Sequence, residues 1–98
     1  MAKVIGIDLD GTLCKGDSYT ETRCLLAEPR WDKIALVNEL SKRDFIVILT
    51  ARRDELIPAS LKWLRSHNVN FHAFSNNKMP ADWYIDDKVT NVEDWKEV

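Results

Sequence analysis

Short apolar runs alternate with longer amphipathic stretches along this chain. The runs are Val4–Ile7, Phe45–Leu49 and Trp83–Ile85. Short runs without polar residues, bounded by turn-forming residues, are typical of strands buried on both faces of a parallel sheet. Residues 71–74 predict a further short strand. The pattern therefore predicts a sheet of mostly buried strands.

Two stretches between these runs show the spacing of helices. The first follows Pro29 and ends near Lys42, and the second follows Asp54, a candidate N-cap. The residues predicted to face inward are Ile34, Val37 and Leu40 in the first helix and Ile57, Leu61 and Leu64 in the second. Strands that alternate with helices predict an α/β fold with right-handed crossovers, in the form of a three-layer α/β/α sandwich.

The first strand ends in the most informative motif of the chain, Asp8-Leu9-Asp10-Gly11-Thr12. Two carboxylates one residue apart repel each other, and a cation or a shared proton usually stabilises such a pair. Gly11 lets the chain turn sharply and lets the backbone approach a ligand. An ordinary Asp-Gly turn is the alternative for this segment by itself. At the lip of a buried strand, the pair favours a divalent metal site.

Polar residues follow the other strands in the same way. Thr50 ends the second run, Asp86 and Asp87 end the third, and Lys78 lies a short loop upstream of it. Taken singly, Thr50 is typical of a helix cap and Lys78 of a solvated side chain. Asp86 and Asp87 are typical of a polar turn. Parallel strands bring their carboxyl ends to one edge of the sheet. Together the residues therefore predict a magnesium-dependent phosphoryl-transfer site.

In this order the four segments resemble the motifs of the haloacid dehalogenase (HAD) superfamily of phosphohydrolases. More narrowly, residues 7–14, 50–52 and 84–88 are similar to small bacterial and phage proteins often labelled capsule biosynthesis phosphatases. The resemblance spans nearly the whole chain and implies a Rossmann-like parallel sheet of the HAD type. It also implies a one-turn helix followed by a short flap hairpin within residues 14–28, and no cap domain, which would leave the site open or closed by a neighbouring subunit.

The residues themselves fit a mechanism of this kind. Asp8 is the predicted nucleophile, which would form an aspartyl-phosphate. Asp10, on the same side of an extended strand, is the predicted general acid and base. Magnesium prefers hard oxygen ligands, and the predicted set is Asp8, the backbone carbonyl of Asp10 and Asp86. Asp87 would orient a metal-bound water.

Phosphate binding is assigned to a second group of residues. The Thr50 hydroxyl and the backbone amides that follow it, beginning with Ala51, are placed to receive a phosphoryl group. Lys78 is predicted to balance the charge of the phosphoryl oxygens. Lys62 and Lys88 are weaker candidates for the same role.

Substrate specificity has two candidate determinants. Arg52 and Arg53 follow Thr50 and would hold the leaving group or a second acidic group of the substrate. A solvated start of a helix is an equal alternative for this pair. A partner subunit in a dimer or tetramer would also shape an open site, and Trp95 is the candidate interface residue.

Length and composition agree with a small enzyme. The 98 residues predict one domain, residues 1–98, with a modest core. A net charge of −2 argues against a broad electrostatic grip on nucleic acid. No apolar run approaches the roughly 20 residues that a membrane span needs, and no signal pattern is present, so we expect a cytoplasmic protein. Cys14 and Cys24 lack metal-ligand spacing and are expected to be reduced.

The sequence leaves the substrate open. The resemblance implies a sugar phosphate or another small phosphorylated metabolite, with a nucleotide or polynucleotide 3′-phosphatase as the alternative. A non-catalytic protein that binds a phosphorylated ligand is a third hypothesis. A signalling receiver domain uses similar residues, but its acceptor aspartate would end a middle strand, where this chain has Thr50. The hypothesis that the sequence favours is a magnesium-dependent phosphomonoester hydrolase.

Overall fold

The computed structural model describes residues 2–15, 20–77 and 81–85 of the chain. The strands in this part are β1 (Val4–Asp8), β2 (Phe45–Leu49), β3 (Ala73–Ser75) and β4 (Trp83–Ile85). The helices are α1 (Glu21–Leu26), α2 (Trp31–Leu40) and α3 (Ile57–Ser66), and a 3₁₀ turn at Asp54–Leu56 precedes α3. None of these described helices is long and apolar enough to cross a membrane.

All four strands pair in parallel, in the order β3-β2-β1-β4. Strand β1 is central, with Ile7 beside Ile48 of β2 and Ile85 of β4. Helices α2 and α3 lie in the crossovers that connect β1 to β2 and β2 to β3. The predicted α/β class with a parallel sheet is confirmed, and the carboxyl end of β1 lies in the middle of one sheet edge.

Helices α2 and α3 cover one face of the sheet. Residues paired across parallel strands point to the same face, and the strand residues on this face are Ile5, Ile7, Ile46 and Ile48. The helical residues packed with them are Ile34, Val37 and Leu40 from α2 and Trp63 and Leu64 from α3. All of these side chains are at most 3% exposed. The inward face predicted for α2 is confirmed.

Helix α3 turns a different face inward from the one predicted. Leu64 is buried, but Ile57 and Leu61 are only half-buried. Ala59 and Ser60 are buried in their place. The chain enters α3 through a 3₁₀ turn, which has about 3.0 residues per turn instead of 3.6, so the sequence spacing does not fix which side faces the sheet.

The start of α3 also differs from the prediction. Asp54 lies in the 3₁₀ turn, and the N-cap position of α3 is Leu56, which makes no side-chain capping bond. The Asp54 carboxylate instead accepts a 2.6 Å hydrogen bond from Asn76 Nδ2. Asp54 therefore links the loops after β2 and β3 and is not the cap of a long helix.

The segment between β1 and α2, for which the resemblance implies a one-turn helix and then a flap hairpin, contains a helix in its second half. Helix α1 begins after Thr20, whose side chain accepts a 3.2 Å hydrogen bond from Arg23 N. Thr20 at the N-cap and Glu21 in the first turn both favour a helix here. The expected flap hairpin is wrong for residues 20–28, and residues 16–19 lie outside the described part of the chain.

The opposite face of the sheet is less completely covered. It carries Gly6 and the aromatic residues Phe45 and Tyr84, which are 42% and 45% exposed. Because α2 and α3 both pack on the other face, a second helical layer of the predicted sandwich is not found among the described residues. Residues 86–98, with the predicted turn of helix around Trp95, lie outside them.

Candidate active site

The carboxyl end of β1 carries the two aspartates of the first motif. The backbone makes one tight turn after the strand, in which Leu13 N–H donates to Leu9 O at 3.0 Å. Gly11 lies in this turn with a φ of 84°, a left-handed conformation that would strain any residue with a side chain. The turn places Asp8 and Asp10 at the same edge of the sheet.

The two carboxylates have different surroundings. Asp8 is exposed, and one of its oxygens accepts a 3.4 Å hydrogen bond from Thr12 Oγ1. The Asp10 side chain is 23% exposed and forms an ion pair with Arg52, whose side chain is 2% exposed. The Asp10 carboxylate is therefore largely enclosed by the protein, whereas the Asp8 carboxylate is accessible to a ligand.

Arg52 binds both oxygens of the Asp10 carboxylate. Its Nη2 donates to Oδ1 at 2.7 Å, and its Nε lies 3.2 Å from Oδ1 and 3.1 Å from Oδ2. Thr50 Oγ1 donates to Oδ2 at 3.0 Å. Planar guanidinium groups bind carboxylates in this two-pronged way, with short, charge-assisted hydrogen bonds. Asp10 is thus held in one orientation by two neighbouring side chains.

Arg52 is itself anchored by α3 and by the loop after β3. Its Nη1 donates to Ser60 Oγ at 2.8 Å, and Ser60 Oγ donates to Leu56 O at 2.7 Å. Its backbone carbonyl accepts a 3.2 Å hydrogen bond from Asn76 Nδ2. The side chain is therefore turned into the protein and contacts Asp10, while the substrate contact proposed for it from the sequence stays a prediction.

Cys14 lies against the same ion pair. Its Sγ is 3.6 Å from Arg52 Nη2 and 3.9 Å from Asp10 Oδ1. Burial raises the pKa of the Cys14 thiol to about 11, and the charge of Asp10 adds to this while Arg52 partly opposes it. Burial lowers the pKa of Arg52, but the hydrogen bonds and charge of Asp10 outweigh burial and leave that pKa above its usual value.

We call this group of side chains the arginine cluster: Asp10, Cys14, Thr50, Arg52 and Ser60. At neutral pH its thiol is protonated and its guanidinium is charged, as the two pKa shifts indicate. The cluster lies on the side of β1 that faces α3, since Ser60 belongs to that helix.

A cavity of about 380 Å³ opens on the other side of the β1 end. Its lining residues are Gly6, Asp8, Leu49, Thr50, Ala51, Asn76, Asn77, Tyr84 and Ile85. We call it the Asp8 cavity. Gly6 forms part of its wall, and a Cβ at this position would lie 2.8 Å from Leu49 Cδ1 and 3.0 Å from Tyr84 Cδ1. An apolar wall with a few convergent polar groups is typical of small-molecule sites.

The structure brings five predicted site residues to one edge of the sheet. They are Asp8, Asp10, Thr50, Ala51 and Arg52. The other predicted residues, Lys78, Asp86 and Asp87, lie outside the described residues, as does Lys88. Strand β4 nevertheless ends beside β1, because Ile85 pairs with Ile7.

Four residues at or around the site were not singled out from the sequence. Arg30 Nη1 donates to Gly11 O at 3.0 Å and supports the turn after β1. Ser60 anchors Arg52, and Asn76 and Asn77 line the Asp8 cavity. The two asparagines carry a usable signal, since they follow a predicted strand as Thr50 does. Arg30 lies 19 residues from Gly11 along the chain, and no pattern in the sequence signals the contact between them.

The described residues contribute a partial set of ligands for magnesium. Within residues 2–15, 20–77 and 81–85, no group of three or more His, Cys, Asp or Glu side chains is arranged to hold a metal ion. Magnesium commonly takes one or two carboxylates and completes its shell with water and substrate phosphates. The exposed carboxylate of Asp8 and the backbone carbonyl of Asp10 have suitable chemistry, whereas the Asp10 side chain is bound to Arg52.

Comparison with known proteins identifies a related fold. No family model and no curated protein matches this chain. A solved structure of a conserved protein from Bacteroides thetaiotaomicron is similar, with a TM-score of 0.70 and 23% sequence identity. The similarity covers 99% of this chain and 86% of that chain. At this level of identity the likeness shows the fold alone, so the activity has to be argued from the residues at the edge of the sheet.

Proposed function

We propose that this protein is a magnesium-dependent phosphomonoester hydrolase of the HAD type, without a cap domain. The observation that carries the proposal is the arrangement of Asp8, Asp10 and Thr50. Two carboxylates and a hydroxyl meet at the carboxyl edge of a parallel sheet, where ligands of such folds bind. One carboxylate is exposed at a cavity, and the other is held by a buried arginine.

The two aspartates divide the chemistry. An Asp8 oxygen attacks the phosphorus of the substrate, the bond to the leaving oxygen breaks, and that oxygen takes its proton from the protonated form of Asp10, which is the starting state of the cycle. The product is an aspartyl-phosphate on Asp8 and a free alcohol. A water then attacks the phosphorus, gives its proton to Asp10, and releases inorganic phosphate and the Asp8 carboxylate. Asp10 returns to its starting state, so the cycle consumes only water.

Magnesium would be held by the Asp8 carboxylate and the Asp10 backbone carbonyl, with Asp86 and Asp87 as the ligands and water-orienting groups proposed from the sequence. When bound, the ion would neutralise charge on the phosphoryl oxygens. The chain would add the Thr50 hydroxyl, the backbone amide of Ala51 and the Lys78 ammonium as phosphate contacts. We further propose a cytoplasmic location and a homo-oligomer that closes the open site.

The substrate we favour is a sugar phosphate or another small phosphorylated metabolite. A nucleotide or a polynucleotide 3′-end is the second candidate, and the Asp8 cavity supports it. Tyr84 is 45% exposed at this cavity and offers an aromatic face, while Asn77 carries an amide that can pair with a base. A non-catalytic protein that binds such a ligand is the third.

The test is phosphate release from a panel of sugar phosphates, nucleotides and 3′-phosphorylated oligonucleotides, with magnesium or with EDTA. We expect turnover that needs magnesium and that Asp8→Asn lowers by at least about 10³-fold, as loss of a nucleophile does. Asp32→Asn, an exposed position in the first turn of α2, serves as the matched control and should keep full activity. Folded protein that releases no phosphate from any substrate would contradict the proposal.

A further inference from the structure

We propose that Ser60 and Arg52 form a positioning relay that fixes Asp10 for proton transfer. The relay runs from helix α3 through Ser60 Oγ to Arg52 Nη1, and from Arg52 Nε and Nη2 to the Asp10 carboxylate. This inference rests on the proposed function, because it assigns Asp10 as the general acid and base. It gives Arg52 a part in catalysis that requires no contact with the substrate.

Burial makes the relay rigid. Arg52 is 3% exposed and Ser60 is fully buried, so neither side chain can exchange its partner for bulk water. The Ser60 hydroxyl makes two hydrogen bonds, since it accepts one from Arg52 Nη1 and donates one to Leu56 O. The backbone of Arg52 is also tied to Asn76. The Arg52 guanidinium is therefore held in one orientation relative to Asp10.

The geometry distinguishes the two oxygens of Asp10. Oδ1 receives the shortest contact, 2.7 Å from Arg52 Nη2, together with Nε at 3.2 Å. Oδ2 receives Nε at 3.1 Å and the Thr50 hydroxyl at 3.0 Å. The Thr50 hydroxyl can rotate its hydrogen away, whereas the guanidinium cannot. Oδ2 is therefore the oxygen that exchanges the proton, and Oδ1 is the fixed end.

The relay predicts a defect of a particular kind. Loss of Arg52 or Ser60 should impair proton transfer to the leaving group and spare the attack of Asp8 on phosphorus. A substrate with an alkoxide leaving group needs that proton, while 4-nitrophenyl phosphate has a leaving group stable enough to depart without it. A structural role alone would lower the rate of both substrates equally. The ratio of the two rates therefore reports on the relay.

The experiment compares kcat/KM for 4-nitrophenyl phosphate and for the best unactivated substrate of the panel. This quantity covers the steps up to departure of the leaving group and leaves out the later hydrolysis of the aspartyl-phosphate, in which Asp10 would act on both substrates alike. Arg52→Gln should lower kcat/KM for the unactivated substrate by about 10- to 100-fold, as loss of a group that orients a reacting side chain does. The loss on 4-nitrophenyl phosphate should be less than about threefold. Ser60→Ala should act in the same direction more weakly, and Arg52→Lys, which keeps the charge, should recover part of the rate.

Matched controls lie on the same helix. Ser66 donates to Trp63 O much as Ser60 donates to Leu56 O, but it has no contact with Arg52. Ser66→Ala should therefore leave both rates unchanged, and so should Arg65→Gln at an exposed position. In an Asp10→Asn background, Arg52→Gln should add little further loss, since both changes remove the same proton transfer.

Equal losses on the two substrates, or full additivity with Asp10→Asn, would overturn the relay while leaving the phosphatase proposal intact. Wild-type protein without phosphatase activity would overturn both proposals together, so the two failures are distinguishable. If Arg52→Gln does not fold, Ser60→Ala decides the question, because it keeps the ion pair and removes only its anchor. An unchanged ratio of rates in folded Ser60→Ala would then overturn the relay.

Discussion

The two sides of the β1 carboxyl end are built differently. On one side, the arginine cluster supplies Asp10 with a buried cation and a hydroxyl, so its charge is compensated within the protein. On the other side, Asp8 is exposed at the rim of a cavity of about 380 Å³. Only one residue, Leu9, separates these carboxylates in the sequence.

The difference supports the proposed roles, in which Asp8 acts on the ligand and Asp10 transfers the proton. A reacting group must be reachable, whereas a proton-transfer group must be held in a fixed position. The enclosed Asp10 has the features of the second and the exposed Asp8 those of the first. Thr50 belongs to both sides, because its hydroxyl donates to Asp10 while the residue also lines the Asp8 cavity.

The largest expected contrast is in stability. Asp10→Asn should destabilise the protein by about 3 kcal/mol, because it leaves a buried guanidinium without its counter-charge. Asp8→Asn should change the free energy of unfolding by less than about 1 kcal/mol, because its side chain is exposed. Urea unfolding followed by circular dichroism measures both, with the midpoint compared at unchanged slope.

Thr50→Val is a control within the same cluster, since it keeps the ion pair and removes two hydrogen bonds of the hydroxyl, the one it donates to Asp10 and the one it accepts from Arg52 N. Its effect should fall between the two, at about 2 kcal/mol. Equal destabilisation by Asp8→Asn and Asp10→Asn would show that the two carboxylates are held alike, and would remove the contrast on which the assignment of roles is based.

A second prediction concerns the wall of the Asp8 cavity. Gly6→Val should destabilise by about 2 kcal/mol, because its Cβ would lie within contact distance of two side chains that must move. Those side chains belong to Leu49 and Tyr84, at 2.8 and 3.0 Å from the added Cβ. If the substrate occupies this cavity, KM should rise in the same variant, which steady-state kinetics would show.

Val4→Ala is the matched control for this change. Val4 lies on the same strand and the same face as Gly6, two residues toward the other edge of the sheet. It should lose about 1 kcal/mol of stability and leave KM unchanged. A rise in KM in both variants would mean that lowered stability alone affects binding, whereas no rise in Gly6→Val would place the substrate outside this part of the cavity.

Much of the fold could be predicted because strong local patterns coincide with it. The apolar runs of β1 and β2 and the three-residue steps of α2 each depend on few neighbours. The start of α3 could not be predicted in the same way, because Asp54 is used for a hydrogen bond to Asn76, 22 residues away. The position of helix α1, in the part of the segment where the resemblance implies a hairpin, was also not predicted, although Thr20 and Glu21 offer a capping signal.

The orientation of the Arg52 side chain shows how far the candidate site could be predicted from the sequence. The sequence presents Arg52 and Arg53 as equivalent candidates for contact with a substrate. In the structure Arg52 is buried against Asp10, while Arg53 is exposed and pairs with Glu55 at 3.1 Å. The choice depends on Ser60 being at the right position of α3 to receive a guanidinium, and that register follows from the 3₁₀ turn. Local sequence does not contain this information.

The smallest effect we predict tests the environment of the arginine cluster by pH. The Cys14 thiol has an ordinary pKa of 9.0, and burial and Asp10 raise it to about 11 in the folded protein. The unfolded chain therefore loses this proton first as the pH rises. Stability from this group is complete below about pH 9 and declines between pH 9 and 11, by about 1 kcal/mol at pH 10.

Other groups titrate in this range, so the informative quantity is the difference between wild type and Cys14→Ala. The decline in the free energy of unfolding from pH 8 to pH 10 should be smaller in Cys14→Ala than in the wild type. Identical pH profiles for wild type and Cys14→Ala would mean that the thiol ionises as easily when folded as when unfolded. The side of β1 that holds Asp10 would then be open to water, as the Asp8 side is.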